Sequence, residues 1–143
     1  MERASFRLVD YHFDKIVLDL GNLKPNSEFN IDFIPEGKYY PSTNKYLLEF
    51  TFKANIDSSE SDNILIHCVA EYEFQNVSNK EEIPSFFYAN SIAILFPYIR
   101  AFVSTVTLQA NVKPLMLPTM NLSSLNMDLI FYLIYYLNIE YLK

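Results

Sequence analysis

At 143 residues, half of them hydrophobic and 16% aromatic, the chain is long enough for one packed domain and too apolar to be disordered. A net charge of −6 and a pI near 4.8 argue against nucleic acid as a partner, because that binding needs basic surface to displace counterions. The single cysteine, Cys68, allows no internal disulfide and suits a reducing cytoplasm, while only two glycines argue against tight hairpin turns and phosphate-cradling loops.

The opening MERASFRLVD has no apolar signal core, so export of this chain is not expected. Phe6 to Leu20 reads as a strand. Val9, Tyr11 and Phe13 share one parity and Ile16, Leu18 and Leu20 the other, which predicts a bulge near Asp14-Lys15. Gly21 to Asn44 holds three prolines and reads as a long irregular segment, yet Phe29, Ile31, Phe33, Ile34, Tyr39 and Tyr40 give it reason to dock. Tyr46 to Ile56 alternates cleanly, with Leu48, Phe50, Phe52 and Ala54 on one face. After the polar run Asp57 to Asn63, Ile64 to Phe74 alternates again, predicting an antiparallel pair with one buried face.

From Pro84 the pattern turns helical. Between Ile92 and Leu108 only a narrow polar stripe interrupts the apolar surface, at Arg100, Ser104 and Thr107. Leu95-Phe96-Pro97-Tyr98-Ile99-Arg100 reads as the start of this helix, because proline fits a first turn where its missing N–H has no partner to lose. Asn111 is the expected stop. Lys113 to Met120 is a Pro- and Met-rich linker, and Ser123 or Ser124 can cap a last helix reaching about Leu142. Ile92 to Ala110 is interrupted by Pro97, Arg100 and Gln109, and Leu129 to Ile139 spans only 11 residues, so neither is expected to insert in a membrane. Strands followed by helices make the class α+β with an antiparallel sheet, in one domain over residues 1–143.

Four pieces, in order, resemble the SecB family of export chaperones. They are the opening strand through Asn22, the segment Phe29 to Glu36, the LFPYIR run, and Pro118-Thr119-Met120-Asn121-Leu122. The second is similar to the family's F-x-x-D-W-x-P-E crossover, with Phe33 in place of Trp; the last is similar to its lid loop. The resemblance implies a four-stranded antiparallel sheet followed by two helices, and a cytoplasmic homotetramer built as a dimer of dimers. It implies a holdase with no cofactor and no catalysis, keeping unfolded or precursor polypeptides in apolar grooves for protein export.

By position, the resemblance puts Phe29, Phe33 and Ile34 of the crossover in that groove, with Leu115, Met116, Leu117, Met120 and Leu122 of the lid. The helix at the oligomer interface would present Phe96, Tyr98, Phe102 and Val106. The family's SecA-docking sheet face falls on Lys15, Asp19, Leu65 and His67. Lys15 and His67 replace two of three expected acids, so a second reading stands beside export: a dedicated chaperone or adaptor for one partner, such as an antitoxin.

Plainer readings accompany these. Phe29 and Phe33 can serve as anchors that pin the crossover, and the lid's Leu and Met as core. Arg100 is expected to satisfy carbonyls or an interface acid. His67 and Cys68 face opposite sides of a strand, so they cannot share a metal, and no metal site is expected. Glu71 and Glu73 belong to a solvated sheet face.

Overall fold

The computed structural model describes residues 3–24, 27–56 and 61–117. The expected second helix, and with it Met120 and Leu122, lies outside the described residues. Four strands, β1 (Ser5–Leu18), β2 (Asn30–Tyr40), β3 (Lys45–Asn55) and β4 (Ile64–Gln75), form one antiparallel sheet in the order β1-β4-β3-β2. One long helix, α1 (Phe86–Gln109), covers a face of it.

Strict alternation on β3 and β4 builds the floor of the core. Tyr46 pairs with Tyr72, Leu48 with Ala70, Phe50 with Cys68 and Phe52 with Ile66, and all eight side chains are buried. Helix α1 comes nearest β4, where the small side chains of Cys68 and Ala70 leave it room. Phe87, Leu95, Ile99 and Val103 of α1 pack into this floor. The other sheet face carries Arg7, Lys45, Glu71 and Glu73, whose ion pairs are at least partly exposed.

Strand β1 shows the expected register shift at Asp14 and a second one at Val9. Each extra residue restores the parity, so Phe6, Leu8, Tyr11, Phe13, Ile16 and Leu18 all pair with core-facing positions of β4. The first bulge escapes a parity reading because Val9, which carries it, is itself apolar.

Three expectations need correction. The irregular stretch from Gly21 to Asn44 contains β2, a full strand at the sheet edge. There Pro35 opposite Phe50 has no second neighbour to satisfy, and the inward positions Pro35 and Gly37 hide the alternation. A tight hairpin does join β2 to β3, through Pro41–Asn44. Asn44 takes the left-handed conformation in place of glycine (φ 56°), and its side chain accepts from the Tyr39 hydroxyl and donates to the Phe74 carbonyl. Pro97 does not start α1 but sits inside it, eleven residues beyond Phe86. Pro97 and Ile94 are exposed, so the interrupted turn lies on a solvent-facing side of the helix, where solvent can reach a carbonyl that proline leaves unbonded.

By length and composition α1 could cross a membrane. Its inward side forms the core, while Ile94, Tyr98 and Leu108 leave an exposed apolar stripe.

Candidate functional site

Strands β1 and β2 are consecutive in the chain but sit at opposite edges of the sheet. The connection must therefore cross three strand spacings, about 14 Å, past the ends of β4 and β3. Asn63, at the start of β4, anchors that crossing. Its side chain is buried, donates to the Asp19 carbonyl and the Asn22 side chain at 2.9 and 2.8 Å, and accepts from the Ile56 N–H at 3.0 Å. One amide thus ties the end of β1, the crossing and the end of β3, with both its donors and its acceptor in use.

The second wall comes from the end of α1. Asn111 adopts φ 60°, its N–H bonds the Leu108 carbonyl, and the Val112 N–H bonds the Thr107 carbonyl. This pair of bonds is a Schellman turn, which reverses the chain. Residues 112–117 then run back along α1 as an extended strap.

Crossing and strap enclose a groove of about 790 Å³ at the end of the sheet. Leu20, Leu23, Phe29 and Ile31 line one side, Val112, Leu115 and Met116 the other, and Ile64 the floor. Lys24, Glu28 and Lys113 stand around it. Met116 is 68% exposed, so an adaptable apolar side chain is held in solvent beside an apolar trough.

Of the residues expected in a groove, the structure brings together Phe29, Leu115 and Met116. Phe33 is half-buried outside it, against Phe50, Phe52 and Phe96. Ile34 pairs with Thr51 on the opposite sheet face and cannot line the groove, because neighbouring strand residues point to opposite sides. Leu117 is buried in the core. Leu20, Leu23, Ile31, Val112 and Thr107 also line the groove, to which the sequence reading does not assign them. The apolar spacing of Leu20 and Leu23 just after a strand was the available signal.

Among the expected interface residues, Phe96 is buried in the protomer's own core against Phe33, which removes it from any surface. Phe102 stacks on Phe13 of β1, Tyr98 packs on Tyr11, and Val106 is half-buried. On the outer sheet face, Lys15 pairs across the strands with His67, and Val17 with Leu65. His67 Nδ1 lies 2.5 Å from Asp14 Oδ1, and this hydrogen bond holds the Asp14 carboxyl below the usual carboxylate range. Asp19 follows the end of β1, where its backbone N–H bonds the Asn63 carbonyl. Cys68 is buried on the core face, and burial pushes its thiol up to about 12. Among the described residues, no three His, Cys, Asp or Glu side chains gather as a metal site would require.

The same frame is found in known proteins. A solved structure of the Mycobacterium tuberculosis SecB-like chaperone, in complex with a ChAD peptide from the HigA1 antitoxin, superposes with a TM-score of 0.66 over 83% of this chain and 91% of that one, at 16% identity. An uncharacterized protein of Methanocaldococcus jannaschii is 44% identical over 45 residues, which is 32% of this chain and 29% of the relative's length. The family described as preprotein translocase subunit SecB matches residues 14–129, most of the chain, from the end of β1 through the other three strands, the groove and α1. The chain belongs to the SecB family.

Proposed function

We propose that this protein is a chaperone of the holdase type, and that the groove between the crossing and the strap takes apolar segments of unfolded polypeptides. The observation that carries this is the wall of Phe29, Leu115 and exposed Met116 around an open trough at the sheet end. Such a site offers apolar area with little directional demand, which suits clients of varied sequence. Burying one client Leu or Phe side chain contributes roughly 1.5–3 kcal/mol, and several contacts on one chain add by avidity. Holding the unfolded form favours it by mass action, with no catalysis involved.

The reading places the protein in the cytoplasm and in a homotetramer. The exposed apolar stripe Ile94, Tyr98 and Leu108 on α1, with Val9, Tyr11, Ile16 and Leu18 on the edge strand β1, supports assembly with further copies. Client aggregation followed with and without the protein, beside its mass in solution, is the test. Slowed aggregation by an oligomer is expected; a monomer without effect on aggregation would refute it.

A second reading, a dedicated chaperone for a single partner such as an antitoxin, is favoured by Lys15 and His67 at the SecA-docking positions. His67 is engaged by Asp14, its neighbour across the bulge. Capture from the native cell separates the two: a broad set of precursors, with SecA, fits export, and one stoichiometric partner fits the second reading.

A further inference from the structure

The polar stripe of α1 faces the strap. Thr107 is buried; its hydroxyl donates to the Val103 carbonyl at 2.8 Å and accepts from the Leu115 N–H at 3.0 Å. One turn back, the Ser104 hydroxyl donates to the Leu115 carbonyl at 3.2 Å and touches the Met116 sulfur at 3.5 Å. A further turn back, Arg100 Nε donates to the Leu117 carbonyl at 2.7 Å. The order 107, 104, 100 against 115, 115–116, 117 is that of an extended strap lying antiparallel to a helix.

Apolar packing alone is non-directional and would let such a strap slide. Its backbone groups also have no sheet to bond, and leaving them unpaired under Leu117 would be costly. We propose that Thr107, Ser104 and Arg100 are positioning residues of the groove, a latch that fixes the strap's register so that Leu115 and Met116 face the trough while Leu117 enters the core. Three polar side chains on one stripe of the helix thereby set the width of the binding site. The proposal rests on the holdase reading for its consequence in client binding, but the latch itself is readable without a client.

Two measurements test it, on the full chain. The first is affinity for fluorescein-labelled, reduced and carboxymethylated lactalbumin, a permanently unfolded polypeptide. The second is hydrogen exchange at the Leu115 amide. Thr107→Val keeps the shape and removes the hydroxyl; it is expected to weaken client binding about 5–30-fold and to speed exchange at Leu115. Thr107→Ser should restore both. Ser104→Ala, at a half-exposed position, should weaken binding in the same direction. Phe87→Leu is the control, a core truncation in the first turn of the same helix, where the ring packs on Phe6, Tyr46, Tyr72, Phe74 and Tyr88. It is expected to lower the melting temperature without changing affinity.

Wild-type affinity and slow Leu115 exchange in Thr107→Val would overturn the latch. So would equal loss of affinity in Phe87→Leu and Thr107→Val at matched melting temperatures. If wild type itself binds no client, the holdase reading fails, and Leu115 exchange alone then decides. Faster exchange in Thr107→Val and slow exchange in Thr107→Ser support the latch; equal exchange in all three overturns it.

Discussion

Phe33 of the edge strand β2 meets Phe96 of α1 edge to face, with ring centroids 5.7 Å apart and planes at 75°. This contact joins the sheet edge to the helix directly beneath the region where the crossing arrives. It also gives Phe33 a packing role in the core.

Phe33→Ala should therefore cost stability first. The ring is half-buried among Phe50, Phe52 and Phe96, so a loss of about 2–4 kcal/mol is expected, near the lower end of buried Phe truncations. Urea unfolding of the variant measures it. Any change in client affinity should be smaller than the stability change; the reverse order would return Phe33 to the groove.

Replacing Asn63 should be among the most damaging single changes. Asn63→Ala leaves the Ile56 N–H, the Asp19 carbonyl and the Asn22 side chain without their partner in a buried setting, a loss of about 2–4 kcal/mol. Asn63→Asp should fare no better, because it keeps the acceptor for Ile56 but turns both donors into acceptors. Denaturation midpoints of the two variants, read side by side, check the argument; a mild Asn63→Asp would contradict it.

Asp14 supplies the pH dependence. Its folded-state pKa is depressed by the His67 hydrogen bond, so the stabilisation is complete above the ordinary value of 3.8 and is lost as pH falls through the lower folded value. Both side chains are partly exposed, which keeps the effect small, below about 1 kcal/mol. Melting temperatures of wild type and Asp14→Asn should differ at neutral pH and converge as the pH falls well below the ordinary value of 3.8. A constant difference across that range would exclude the linkage.

Cys68 should be inert while the protein is folded. Buried on the core face of β4, its thiol is held almost wholly protonated at neutral pH. Alkylation by iodoacetamide at pH about 8 should track unfolding and accelerate only in denaturant. Fast labelling of the native protein would show that the sheet opens there.

These predictions draw on features of unequal legibility in the sequence. Strands β3 and β4 announce themselves because every inward position, from Tyr46 to Ala54 and from Ile64 to Phe74, is apolar and every second one is polar or half-exposed. The Asp14 bulge and the Asn111 stop were equally readable, each resting on a local rule. Strand β2 was not, since Pro35 and Gly37 occupy inward positions and an edge tolerates both. The helix start at Pro97 was misplaced because a proline on an outward face costs less than its propensity implies.

The groove was half legible. Phe29, Leu115 and Met116 could be placed from the resemblance. Leu20 and Leu23 carry only a weak local signal, their apolar spacing after a strand, and Val112 depends on the Schellman turn that brings distant segments together. The face that Ile34 occupies depends on the strand parity that β2 conceals. The polar stripe was seen, and Arg100 was expected to serve carbonyls; its particular partner, Leu117, required the reversal at Asn111.

The account stands on the groove as the place where unfolded chains are held. Met116 tests this most directly, because it is 68% exposed and can be changed without disturbing the core. Titration of labelled, carboxymethylated lactalbumin should show saturable binding by the wild type. Met116→Glu, which sets a charge in the apolar trough, should bind at least about tenfold more weakly, a loss of about 1.4 kcal/mol, at an unchanged melting temperature. Equal affinity in the two proteins, or no binding by either, would contradict the account.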